Sequence, residues 1–99
     1  GEGFVLVDVL GEPHYRHSHL PGAINVPLED LEGATGLLPD RDAEIVVYCM
    51  SRICSASGEA ARELANMGYH YVRDYAGGKQ DWIGAGLPYE GAHKRRTQR

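Results

Sequence analysis

Two sulfurs stand close together in the stretch EIVVYCMSRICSAS, residues 44–57: Cys49 and, five positions on, Cys54. A cysteine can serve as nucleophile, metal ligand or disulfide partner, or simply as a small apolar filler. The apolar, β-branched run 45–48 predicts a buried strand, and Ser55-Ala56-Ser57 leads into helical spacing, so Cys49 lies where a strand hands over to a loop. Near a helix start, backbone N–H groups without intrahelical partners carry partial positive charge, which stabilises an anionic sulfur. The loop Met50-Ser51-Arg52-Ile53-Cys54-Ser55 is therefore an expected anion cradle, with Arg52 adding a full positive charge. Such surroundings can lower a thiol pKa from about 8.5 into a range of roughly 3.5–7.5, which would make Cys49 a thiolate near neutrality. On spacing alone the filler role stays open, and the chemistry extends no further than nucleophile or anion cradle.

The elements that must position this loop follow from hydrophobic patterning. Runs 4–9, 23–26, 45–48 and 70–73 are strand candidates, and 55–67 carries Ala56, Ala60, Ala61, Leu64, Ala65 and Met67 on one helical face with Gly68 as terminator. Strand, helix, strand in that order predicts a parallel pair joined by a crossover. Shorter helical pieces are expected at 28–31 and 78–83, the latter bringing Trp82 onto the domain as a core anchor. The whole predicts an α/β fold: an open, mainly parallel sheet of four to five strands with helices on both faces. Ligands of such sheets bind at the carboxyl ends of the strands, where both Asp8 and Cys49 fall. Asp8 is a candidate supporting residue that either holds the loop through its amides or merely ends a strand.

Size and charge narrow the classes. At 99 residues the chain suits one domain, placed at residues 1–92, with 93–99 expected to be a disordered basic tail. Residues 1–92 hold all 14 acids and 6 of the 10 bases, a balance that repels nucleic-acid backbones. No run is long enough to cross a membrane and the amino end lacks a secretory pattern, so a cytoplasmic location is expected, without nucleic-acid or membrane partners. Two closely spaced cysteines are no disulfide framework. His14, His17 and His19 raise the possibility of a metal, but with no supporting acid or cysteine nearby a turn-stabilising role is expected; neither metal nor cofactor is assigned.

Taken in order, LVDV at 6–9, HLPGAINVP at 19–27, VVYC at 46–49, the 55–61 helix start and Gly77-Gly78 followed by Trp82 and Gly86-Leu87-Pro88 resemble the rhodanese-like sulfurtransferase domain over about residues 4–91. Physical reasons attach to these patterns independently: Pro21-Gly22 suits a tight turn, and Gly77-Gly78 permits close backbone approach. The resemblance implies that Cys49 takes the outer sulfur of a small anionic donor such as thiosulfate, holds it as a persulfide, and yields it to a thiol or cyanide acceptor or to a sulfur-relay protein. It also implies that the amides of Met50, Ser51, Arg52, Ile53, Cys54 and Ser55 bind the transferred group, with Arg52 attracting the donor.

Three departures from the family pattern bear on specificity. Arg52 stands where relatives commonly have glycine, Cys54 where they have arginine or a similar polar group, and Leu10 where a basic residue is usual. The start of the chain close to the first strand leaves an expected sheet edge bare or covered by a partner subunit. Cys54 is read either as a buried residue of the first helical turn or as a resolving thiol. The alternative functions are a non-catalytic sulfur-carrying or regulatory module and, less favoured, an oxyanion phosphatase or arsenate reductase, whose loop needs an arginine where this chain has Ser55.

Overall fold

A computed structural model of the chain describes residues 3–92; the basic tail, 93–99, lies outside the described residues. Element order is β1 (Phe4–Asp8), α1 (Glu12–His17), β2 (Ile24–Asn25), a 3-10 helix (Leu28–Gly33), β3 (Glu44–Tyr48), α2 (Ala56–Asn66), β4 (Tyr71–Asp74) and α3 (Gly78–Gly84). The four strands form one sheet in the order β2-β1-β3-β4, and every pairing is parallel. The expected parallel crossover is present as β3-α2-β4, and the described strands number four, the lower of the two expected values.

Strand alternation divides the core between the two faces. Val7, Ile45, Val47 and Cys49 point to one side and pack with Leu31, Ala60, Leu64 and Tyr69, which brings the 3-10 helix and α2 over that face. Leu6 and Tyr48 point to the other, where Tyr15 of α1 and Trp82 of α3 meet Leu20 and Ala23. Trp82 anchors α3 as expected, its ring N–H donating to the Pro88 carbonyl at 2.7 Å. The end of α2 follows its sequence signal closely. Gly68 takes φ +100°, the Tyr69 N–H reaches back to Leu64 O and the Gly68 N–H to Ala65 O, and Tyr69 packs in the same core as Leu64.

Helix α1 is not foreseen from the sequence, where the histidines of this stretch are expected only to stabilise a turn. Pro13 stands at the first helical positions, Glu12 opens the helix, and Arg16 and His17 lie in its last turn, an order that suits the helix dipole. His19 then folds back: its Nδ1 lies 2.8 Å from Tyr15 O and its ring stacks on that of Tyr15 at 3.8 Å.

Tyr48 does more than pack. Its fully buried hydroxyl donates to Asp8 Oδ2 at 2.9 Å and accepts the Leu20 N–H at 3.0 Å, while the other Asp8 oxygen accepts the Leu10 N–H at 2.9 Å. Burial pushes the Asp8 carboxyl above the usual carboxylate range, against the opposing effect of these hydrogen bonds. Burial and the neighbouring Asp8 likewise keep the Tyr48 phenol protonated. Tyr48→Phe strands a buried acceptor and a buried amide together, so it should destabilise the fold by about 2–3 kcal/mol. A lower urea midpoint at unchanged m-value is the expected result.

Candidate active-site loop

The site begins where the two central strands end together, with Asp8 of β1 in register with Tyr48 of β3. The next residue, Cys49, is held from behind by α3: the Lys79 N–H donates to Cys49 O at 2.9 Å and the Gln80 N–H to Met50 O at 2.8 Å. Gly78 makes that approach possible. It sits at φ +66°, and a Cβ there would lie 2.5 Å from Cys49 O, so the close backbone contact expected of Gly77-Gly78 exists at the second glycine.

The Cys49 side chain turns toward α2 and is only 1% exposed. Its Sγ lies 3.3 Å from Cys54 O, 3.5 Å from Ser57 Oγ and 4.0 Å from Ser51 O. Both cysteines are free thiols, and the Cys54 residue meets the Cys49 sulfur through its backbone carbonyl. Burial pushes the Cys49 thiol up, and the Cys54 thiol adds to the rise; the Ser57 hydroxyl and N–H oppose it. For Cys54 burial also acts upward, but the hydrogen bond from Cys49 and the backbone groups of Ala56 and Met50 outweigh it and bring the thiol below its ordinary value. The rise at Cys49 runs against the expected thiolate near neutrality. Two carbonyl oxygens, of Cys54 and Ser51, lie within reach of the Cys49 S–H, and burial acts against its ionised form.

The remaining loop residues divide by direction. Met50 and Ser51 line a cavity of about 430 Å³ on the α1 and α3 side, together with His14, Lys79, Gln80 and Ile83. The Cys54 N–H closes a turn onto Ser51 O at 3.1 Å. Ile53 is 95% exposed at the loop crest. Arg52, expected to draw the donor in, is turned outward and paired with Asp81 at 3.1 Å. The Ser55 hydroxyl donates to Glu59 Oε2 at 3.1 Å. Asp8 accepts from Leu10 and Tyr48 rather than from loop amides, because its side chain lies on the sheet face opposite Cys49.

Sequence reasoning missed Ser57 and Lys79. A small polar residue inside the first turn of α2 was the available signal for Ser57, which reaches the sulfur from the helix. Lys79 had none: it is buried and its ammonium donates to His14 O at 2.9 Å, a contact across 65 positions of chain. Among the described residues no group of three or more His, Cys, Asp or Glu side chains is placed to hold a metal ion.

Two outcomes follow from this geometry. Gly78→Ala adds the left-handed strain of roughly 1–2 kcal/mol and drives a methyl into Cys49 O, so thermal stability should fall and the reactivity of Cys49 should change with it. Alkylation mapped by mass spectrometry across pH should label Cys54 first. Because its folded pKa is raised, Cys49 should gain label only as pH climbs beyond the ordinary thiol range.

Comparison with known proteins gives this geometry a family. The model of the rhodanese-like domain matches residues 1–85. The chain is 39% identical over 86 residues to the HTH-type transcriptional regulator Rv0324 of Mycobacterium tuberculosis, covering 86% of this chain and 37% of that protein. It is 37% identical over 76 residues to the thiosulfate sulfurtransferase PspE of Escherichia coli, covering 76% of this chain and 70% of that one. Among solved structures, an E. coli rhodanese with anions superposes with a TM-score of 0.74 at 31% identity, over 89% of this chain and 98% of the other. The chain thus spans little more than a third of the Mycobacterium protein and over two thirds of PspE. With a parallel four-stranded sheet and a family match running through the Cys49 loop, the chain belongs to the rhodanese-like domain family.

Proposed function

We propose that the chain is a sulfurtransferase that moves sulfane sulfur from thiosulfate or a related small anionic donor to a thiol or cyanide acceptor through a persulfide on Cys49. The observation that carries this reading is the placement of the Cys49 sulfur at the end of β3, enclosed by the loop 50–55 and the Ser57 hydroxyl. Likeness to a thiosulfate sulfurtransferase over 76 residues supports it. The two free thiols suit the reducing cytoplasm, and a sulfur-relay protein would serve as well as a small thiol for acceptor. No helix among the described residues is long and apolar enough to cross a membrane.

In this mechanism the Cys49 thiol first loses its proton, and the Ser57 hydroxyl and N–H then stabilise the thiolate. The thiolate attacks the outer sulfur of the donor, the donor S–S bond breaks, and sulfite leaves with the electron pair. Attack of the acceptor on the outer persulfide sulfur restores Cys49. Because burial raises the Cys49 pKa, the loading step should accelerate as pH rises through the alkaline side of the ordinary thiol range. Residues 50–55 bind the transferred group in this reading, and Asp8 supports the loop indirectly by fixing Tyr48, the residue before Cys49.

The test is thiosulfate treatment with acid quenching at early times. Wild type should release sulfite and gain one sulfur by intact mass, and with cyanide present it should form thiocyanate. Cys49→Ser should do none of these. Equal uptake by Cys49→Ser would move the chemistry to another residue, and stable loading with negligible turnover would favour a sulfur-carrying module.

A further inference from the structure

The mechanism above leaves one reactive group without a task. Cys54 stands where the family pattern has an arginine or similar polar side chain, and it packs against the core cluster that holds Cys49. Several features hold the two residues together. The Cys54 carbonyl oxygen is 3.3 Å from Cys49 Sγ, the Cys54 N–H is tied to Ser51 O at 3.1 Å, and only four residues separate the pair. Accessibility differs sharply between them, since Cys49 is buried and Cys54 is half-buried. The backbone of Met50 and Ala56 favours the ionised form of Cys54, so a nucleophile is available beside Cys49 at lower pH than Cys49 itself ionises.

Resting on the persulfide chemistry proposed above, we infer that Cys54 is a resolving thiol, which discharges the Cys49 persulfide as hydrosulfide and closes a Cys49–Cys54 disulfide. The Cys54 thiolate attacks Cys49 Sγ, the inner sulfur. A bond forms between the two cysteine sulfurs, the bond to the outer sulfur breaks, and the outer sulfur leaves with the electron pair and the persulfide proton as HS⁻. The sulfane sulfur is reduced to sulfide and the two cysteine sulfurs are oxidised to the disulfide. A dithiol reductant then reopens the bridge by two exchanges, becoming a disulfide itself. The loop so equipped couples sulfane sulfur to a dithiol acceptor class and delivers free sulfide, a product that direct transfer to cyanide does not give.

The experiment starts from the reduced 99-residue chain loaded with inorganic polysulfide, which needs no thiosulfate site, and follows sulfide release and intact mass after the excess is removed. Wild type should lose the added sulfur as one sulfide per chain and end two hydrogens lighter than the reduced protein, with the peptides of Cys49 and Cys54 linked. A dithiol should restore the starting mass. Cys54→Ser, which keeps the loop backbone, should hold the added sulfur on the order of tenfold longer and release no sulfide until an external thiol is supplied; Cys54→Ala should repeat this without a hydroxyl. Persulfide that persists on wild type, or sulfide released at the wild-type rate by both Cys54 variants, would overturn the inference. Should thiosulfate load nothing while polysulfide-loaded wild type closes the bridge, the donor assignment falls and the resolving role stands.

Discussion

The hydrogen bond between the Tyr48 hydroxyl and the Asp8 carboxylate is the constraint on which the rest of the site depends. These residues are register partners at the last positions of the two central strands, and both are wholly buried. A carboxylate in that position is costly unless its oxygens are met, and Tyr48 and the Leu10 N–H meet them. Because the Tyr48 oxygen also accepts the Leu20 N–H, the segment between α1 and β2 is drawn onto the strand ends. The place where β3 must stop is thereby set, and Cys49 is the next residue.

From that fixed point the backbone of the loop is held from one side of the sheet and the Cys49 thiol is presented to the other. The amides of Lys79 and Gln80 grip the carbonyls of Cys49 and Met50, and Gly78 admits α3 close enough for them to do so. The Cys49 side chain, one alternation away from Tyr48, is sent into the core beneath α2, where Ser57 and two loop carbonyls receive it. The same alternation places Asp8 out of reach of the sulfur, so its influence travels through Tyr48 and the strand end. Lys79, held by His14 O, shares a buried electrostatic environment with Asp8 and lines the cavity bounded by Met50 and Ser51.

What was legible in the amino-acid order is what depends on local periodicity and on backbone-permissive residues. The runs around Val7, Ile45 and Val72 became strands, the Ala60 and Leu64 face became the buried side of α2, Gly68 ended that helix, and Gly78 marked the tight approach. What escaped depends on groups brought together from distant positions. The ionisation of Cys49 turns on burial and on how the Cys54 thiol and the Ser57 hydroxyl and N–H meet it, and neither has a sequence period. Arg52 looked like a donor-attracting charge only because Asp81, 29 positions away, could not be seen to face it. Helix α1 was obscured because its six residues are too few for a periodic signal, and three histidines invited a chemical explanation for a stretch that stacks and caps instead.

A thiol kept protonated and covered reacts slowly at neutral pH, yet the same state shields it, since oxidation of a cysteine proceeds through its thiolate. Cys49 and Cys54 divide these demands between them. The Cys49 thiol is covered, while its more exposed neighbour, whose pKa is lowered, meets solvent first. An oxidant that reaches Cys54 produces a sulfenic acid in the same short loop as a second thiol, and condensation to a disulfide then competes with irreversible oxidation. The contact that would let Cys54 discharge a persulfide is therefore also one that would spare the loop from permanent damage. Both outcomes converge on one oxidised state, which a dithiol reverses.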